Sequence, residues 1–232
     1  MIAVIASEAG GVLDSLLAEN LAVARRRAGR RVLLVDAAPE QACRAWARAR
    51  AATHLRPLPE VLALRGMGFG ERLAGALGRH HDILVGAGGC DSAECRCALV
   101  AAQVAIVPIA ACDADAAAHY RLIARLNAAR MFNPGLRVLF AAVTEDEDGA
   151  MAAAGLARVR AYAREVMGGR VAATVLPLAA LRAATARAGA CACDADGDRD
   201  AGAALEALCH EAFGGQAARR RPDCREGQTV QG

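Results

Sequence analysis

Lysine is absent from this chain of 232 residues: all 28 of its Lys+Arg total are arginine. A GC-rich genome that avoids lysine codons accounts for the bias, but the chemical consequence is that no site here can use an ammonium group. Aromatic residues make up only 3%, so the core has to be packed from small aliphatic side chains. No uninterrupted apolar run reaches the roughly 18 residues at which a membrane span is read. The stretch Met1–Ala6 is too short for the apolar part of a secretory signal and has no basic flank. A cytoplasmic setting is therefore expected, with the nine cysteines present as reduced thiols. A net charge of +3 is too mild to imply a nucleic-acid partner by itself.

What is present is an alternation of short apolar runs with longer helical stretches, the pattern of βαβ units and a parallel sheet. Strands are expected at Ile2–Ser7, Arg31–Asp36, Asp82–Val85, Val104–Pro108, Arg137–Val143 and Val171–Val175. Helices are expected near Leu13–Ala28, after Asp91, and over Asp115–Arg130, Ala152–Val166, Leu178–Ala188 and Ala201–Phe213. The stretch between Asp36 and Asp82 reads as irregular, with Gly and Pro. No repeat or long linker divides the chain, so residues 1–213 are expected to form a single α/β domain. Residues 214–232 are polar, basic and without periodicity, and are expected to be a disordered tail.

A strand, a glycine turn and a helix at the N-terminus are the setting of a phosphate-binding loop. Ala9-Gly10-Gly11-Val12-Leu13-Asp14-Ser15-Leu16 aligns without gaps to K-G-G-V-G-K-T-T, the deviant Walker A loop of the ParA/MinD family, which the chain resembles. Val32-Leu33-Leu34-Val35-Asp36-Ala37-Ala38-Pro39-Glu40 is similar to that family's V-L-L-x-D-x-D-P-Q, and Trp46 falls where plasmid-type members often carry tryptophan. His81-Asp82-Ile83-Leu84-Val85-Gly86-Ala87-Gly88-Gly89 resembles the Walker B segment. Pro108 and Asn133-Pro134 continue the likeness, which is good over residues 1–145 and thin over 146–213. The resemblance implies a P-loop NTPase-like three-layer sandwich, with a mostly parallel central sheet flanked by helices.

The departures from the family pattern are systematic. Ala9 stands at the signature lysine, Asp14 at the phosphate-loop lysine, Leu13 at the glycine before it, Ala38 at the second aspartate and Gly86 at the Walker B aspartate. Gly10, Gly11, Ser15 and Asp36 survive and are the candidate, vestigial nucleotide site. A phosphate loop works by aiming backbone N–H groups and a lysine at a triphosphate. Replacing that cation by a carboxylate changes the interaction by roughly 8 kcal/mol at about 4 Å and an effective dielectric of about 20, an upper figure because Asp is shorter than Lys. Leu13 burdens a turn position that commonly exploits glycine's freedom. Arg44 and Arg96 are the nearest candidates for an arginine that would rescue phosphate binding. No catalytic or metal-ligating residue is expected; ATP and Mg²⁺ enter only if the site still works. Gly10-Gly11 then reads as a tight strand-to-helix turn required for packing.

Other clusters have ordinary readings. Asp194, Asp196, Asp198 and Asp200 resemble a calcium loop superficially, but position 12 is Leu205 in place of the bidentate glutamate. An acidic turn with Asp200 as helix cap is expected instead. Cys191 and Cys193 with Cys209-His210, and the group Cys90, Cys95 and Cys97, lack the spacings of zinc modules. They read as scattered thiols, with a redox or metal role as the outside alternative. Arg25-Arg26-Arg27, Arg30-Arg31 and Arg219-Arg220-Arg221 are basic clusters that either contact DNA phosphates, as the resemblance implies, or are solvated, the first pair complementing a helix dipole. The tail lacks the apolar face of a membrane-anchoring helix.

The expected function is therefore a ParA-like partition or mobile-element accessory: a non-catalytic adaptor binding a ParB-like or ParA-like partner, without the ATP-sandwich dimer of its relatives. The alternatives are a working ATPase with non-standard phosphate ligands and a decaying gene product with no selected role.

Overall fold

The computed structural model describes residues 1–145, 149–194 and 199–214. The expected tail beyond Gly214, with its arginine cluster, lies outside the described residues, as do Asp196 and Asp198. In chain order the elements are β1 (Ile2–Ser7), α1 (Val12–Arg27), β2 (Val32–Asp36), α2 (Ala42–Ala52), β3 (Glu60–Ala63), α3 (Phe69–Ala76), β4 (Asp82–Gly89), α4 (Ala93–Ala101), β5 (Val104–Ala110), α5 (Tyr120–Phe132), β6 (Arg137–Thr144), α6 (Gly149–Ala163), β7 (Gly169–Val171), β8 (Leu176–Pro177), α7 (Leu178–Ala184) and α8 (Arg199–Phe213). A single 3₁₀ turn, Ala192–Asp194, precedes α8.

The apolar runs that lack a two-residue alternation become strands buried on both faces, as an all-parallel sheet requires. The order is β3-β2-β4-β1-β5-β6-β7, with β8 also pairing β6 beyond β7. Every pairing among the described residues is parallel. At the centre, Val4 lies opposite Val85 on one side and Ala105 on the other. One apolar core lies between the sheet and α3, α4, α5 and α6, holding Phe69, Leu99, Leu126, Phe140 and Tyr162. The other lies under α1, α7 and α8, holding Leu17, Leu21, Leu181, Leu205 and Phe213. The three-layer α/β sandwich expected from the sequence is the fold observed.

Three elements occupy the stretch that reads as irregular. Helix α2 is built of alanine and arginine and buries few side chains, Cys43 and Arg50 among them, so it carries no apolar stripe to recognise. Strand β3 is an edge strand of one exposed and three half-buried residues, and α3 contains two glycines. Of the strand expected over Val171–Val175 only Val171 is in a strand, as the last residue of β7; β8 begins after it, at Leu176. Between them the Ala173 N–H leaves the ladder and donates to the Glu211 carboxylate on α8 at 2.9 Å. Helix α5 starts at Tyr120 instead of Asp115, because the Asp115 carboxylate accepts the Ala117 N–H at 2.8 Å and holds a local turn.

The segment 189–194 is clasped to α1 and α2. Arg50 is fully buried and donates to Pro57 O, to Gly189 O and to both Asp194 oxygens, at 2.6 and 3.0 Å. Gly189 lies so close that a Cβ there would meet Arg50 N at 2.2 Å, and its φ of +76° independently favours glycine. Trp46 donates its ring N–H to Ala190 O at 3.1 Å, and buried Asn20 accepts the Ala192 N–H at 2.8 Å. The arginines at the end of α1 have structural partners. Arg25 and Arg30 pair with Asp82, Arg27 pairs with Asp194, and Arg25 also stacks on the Phe213 ring.

Burial is the largest influence on Asp194 and disfavours its ionisation, but the hydrogen bonds from Arg50 and Cys191 and the Arg50 charge together outweigh it and bring its pKa down to about 2. The pair's contribution is therefore full above about pH 4 and is lost as pH falls through about 2. Asp194→Ala leaves a buried guanidinium without its counter-ion and is expected to cost about 3–5 kcal/mol. Urea denaturation at pH 7 measures this; a loss under about 1 kcal/mol would show that the clasp is not a stability determinant.

Candidate functional site

In the parallel sheet, β1 is followed by α1 on one face, whereas its neighbours β4 and β5 are followed by α4 and α5 on the other. Connections that diverge in this way leave a crevice at the carboxyl ends of the strands, where α/β proteins place their ligands. Here that crevice holds two cavities, one on each side of the loop Glu8–Gly11. The first, of about 570 Å³, is lined by residues following β1, β2 and β4. The second, of about 880 Å³, opens toward β5 and β6 and includes His119, Arg158 and Arg182.

The four surviving residues Gly10, Gly11, Ser15 and Asp36 all line the first cavity. Gly10 has a φ of +78°, and a Cβ on it would stand 2.7 Å from Gly89 N. Only glycine permits that approach of the β1 and β4 loops, so Gly10 has a packing role whatever else it does. The structure corrects the reading of Leu13 as a strained turn residue: α1 begins at Val12, so Leu13 lies within its first turn.

Asp14 turns inward. It is only 3% exposed and accepts the Ser7 hydroxyl at 2.8 Å, while Ser7 Oγ accepts the Gly10 N–H at 3.1 Å. The carboxylate is thereby tied to the loop through one hydroxyl. Burial pushes Asp14 up to about 6, with the Ser7 hydrogen bonds opposing the shift. Asp36 is also buried, and its Oδ2 accepts the Arg44 N–H at 2.9 Å. It thus serves the start of α2, where Gln41 provides no side-chain cap. Burial raises the Asp36 pKa as well, against its hydrogen bonds from the Arg44, Ala38 and Cys43 backbone.

Several residues of this cavity stay hidden in the sequence. Cys43, on the unrecognised α2, lies below Gly86, where a Cβ would be 3.6 Å from its sulfur. A thiol thus faces the position of the family's Walker B carboxylate. Glu19, one turn beyond Ser15, is pushed up to about 8, mainly by burial and also by Asp36. Glu8 caps α5 by accepting the Leu122 N–H and pairs with Arg121, which also reaches Asp91. Glu8 lies in the residue just before the matched loop, and that adjacency is the one signal that could have found it.

Five carboxylates (Glu8, Asp14, Asp36, Glu40 and Asp91) line the cavity with a single guanidinium, Arg121. The two arginines considered for phosphate rescue are not among the lining residues. Arg44 bonds Gln41, and Arg96 bonds Asp91 O. Among the described residues no group of three or more His, Cys, Asp or Glu is placed to hold a metal ion. No described helix is long and apolar enough to cross a membrane.

No protein-family model matches the sequence, and no curated protein does. Solved structures do match the fold. MinD in a MinC:MinD cell division complex from Aquifex aeolicus superposes with a TM-score of 0.70 at 15% identity, covering 95% of this chain and 98% of that one. Apo McdA from Cyanothece gives 0.66 at 14%, covering 91% and 98%. Cobyrinic acid a,c-diamide synthase from Mycobacterium smegmatis, with an ATP analogue and magnesium bound, gives 0.63 at 17%, covering 92% and 96%. At these identities the likeness is one of fold.

Because Asp14 keeps its proton in the folded chain more readily than in the unfolded one, its contribution is full below about pH 4 and is lost as pH rises through about 6. Asp14→Asn retains an acceptor for Ser7 without the buried charge. It is expected to raise stability at pH 7.5 by about 1–3 kcal/mol and to flatten the dependence between pH 4 and 6. Thermal melts of both proteins across that range test this, and a variant less stable at pH 7.5 would contradict it.

Proposed function

We propose that this chain, which has the fold of the ParA/MinD-type P-loop ATPases, is a non-catalytic member of that group, acting as an adaptor in a positioning or partition system. The observation that carries the reading is Asp14. A buried carboxylate, hydrogen-bonded through Ser7 to the loop backbone, stands where the resemblance puts the phosphate-binding lysine.

The rest of the cavity supports the same reading. Cavity-lining carboxylates outnumber the single guanidinium, which is already paired with Glu8 and Asp91. Such a wall repels a triphosphate at any effective dielectric. Of Ser15 and Asp36, the residues that would hold a nucleotide's magnesium, Asp36 is engaged with the start of α2. Magnesium wants near-octahedral oxygen ligands and is reluctant to shed water; with Ala38 and Gly86 at the other acidic positions, that donor set does not fit a magnesium-nucleotide. No hydrolytic step is derived for this chain. What it retains is a rigid α/β scaffold, whose partner is proposed to be a ParB-like protein or an active ParA-type ATPase.

Isothermal calorimetry of the full chain with Mg-ATP and Mg-ADP, up to millimolar ligand, tests the reading. No saturable binding is expected. Micromolar binding that disappears in Ser15→Ala and Asp36→Ala would overturn it in favour of an ATPase with unorthodox phosphate ligands. Asp14→Lys alone is expected not to restore binding, because Glu8, Asp36, Glu40 and Asp91 still line the cavity.

A further inference from the structure

Of the five arginines in the clusters Arg25-Arg26-Arg27 and Arg30-Arg31, three are paired with Asp82 or Asp194. The two left over, Arg26 and Arg31, line one hollow of about 330 Å³ together with Arg79, His80 and Glu60. This hollow lies at the amino ends of the strands. Val32 and Glu60, both in its wall, open β2 and β3; Arg79 and His80 come just before β4, and Arg26 belongs to the last turn of α1. The crevice with its two cavities is at the opposite, carboxyl ends and shares no residue with it.

Backbone bonds bring these ends together. The His81 N–H donates to Arg31 O at 2.8 Å, and the Arg31 N–H donates to His81 Nδ1 at 3.1 Å. The start of β2 and the turn before β4 are thereby stitched to each other. At the end of α1, the Gly29 N–H returns to Arg26 O at 3.0 Å, and Arg26 Nη1 donates to Arg30 O at 3.1 Å. Those two bonds hold Arg26 against the chain that leads into β2.

The charge around the hollow is one-sided. Three guanidiniums, which stay protonated at any physiological pH, face a single carboxylate, Glu60. That carboxylate is already bonded to His80 Nε2 at 3.0 Å. Among the described residues the Arg31 and Arg79 side chains have no hydrogen bond or ion pair. Arg26 Nε is buried and has no acceptor, which is uncommon for a buried donor. Cations gathered in this way repel one another unless they share an anion.

We propose that Arg26, Arg31 and Arg79 form an anion site for a diphosphate group, either free or esterified to a small molecule. Guanidinium forks match phosphate oxygens in pairs. Three of them suit a diphosphate better than a phosphodiester, which carries one charge per phosphate. The volume is near the lower end of small-ligand pockets, about 300–1,000 Å³, so it favours a compact polyanion. The site stands independently of whether the crevice binds a nucleotide.

Calorimetry of the full chain with inorganic pyrophosphate and with methyl diphosphate, both without magnesium, tests the site. Saturable binding of at least one probe is expected, and the tighter of the two identifies the free or the esterified form. Arg31→Ala and Arg79→Ala are each expected to weaken binding about tenfold or more. Both side chains are exposed, and Arg31→Ala keeps the backbone bonds to His81, so neither change removes a contact that holds the fold. Arg160→Ala removes the same charge from α6, beside β6 and β7 at the far side of the sheet from β3, and is expected to leave the affinity unchanged. Ser15→Ala is expected to leave it unchanged as well, which separates this site from a nucleotide in the crevice. The proposal is overturned if neither probe binds, or if Arg31→Ala and Arg79→Ala bind as tightly as the unsubstituted chain. It is equally overturned if Arg160→Ala weakens binding as much as they do, the mark of diffuse attraction to a basic protein. Binding of a single-stranded oligonucleotide while both diphosphates fail would overturn it in favour of a nucleic-acid surface.

Discussion

A guanidinium with no access to water has to find every partner inside the protein, and Arg50 does so by gathering three separated pieces of chain. Its donors reach Pro57, Gly189 and Asp194, so α2, the loop before β3 and the segment before α8 can settle only together. Losing one partner would leave a buried charge uncompensated, which makes the arrangement cooperative instead of merely additive. It also explains the close backbone contact at Gly189, because a larger residue would push the carbonyl away from the guanidinium.

The site depends on a second close approach, between the loops after β1 and β4. Gly10 and Gly89 meet at a distance no side chain allows, and this brings the ends of the two strands to one crevice. The same contact would serve a phosphate loop or a plain turn. What separates the two is the charge and direction of the groups placed on it. Here a carboxylate points inward at Asp14 and a thiol lies below Gly86, so the inherited shape and the present chemistry point in different directions.

The central strands were legible because they are unbroken apolar runs, and the candidate site because four motif pieces fall in order. Helix α2 escaped notice since alanine and arginine give no apolar stripe, and with it went Cys43 and the partner of Asp194. Neither end of the Arg50–Asp194 pair, 144 residues apart, carries a local signal for the other. Leu13 misleads for the opposite reason. Aligned to a motif it looks like a strained turn residue, but in the fold it is an ordinary helical residue, because α1 begins at Val12.

The hydrogen bond that ties the loop to Ser7 has a consequence for how the loop keeps its shape. A loop whose N–H groups stay open at a helix N-terminus offers them to an anionic ligand. Folding is then thermodynamically linked to ligand supply through mass action. In this chain the same N-terminus carries its own carboxylate from the first turn, as helix ends prefer, and the loop is closed on Ser7 and Gly10. The Gly10 N–H is satisfied within the chain, so the packing of this loop does not wait on a ligand.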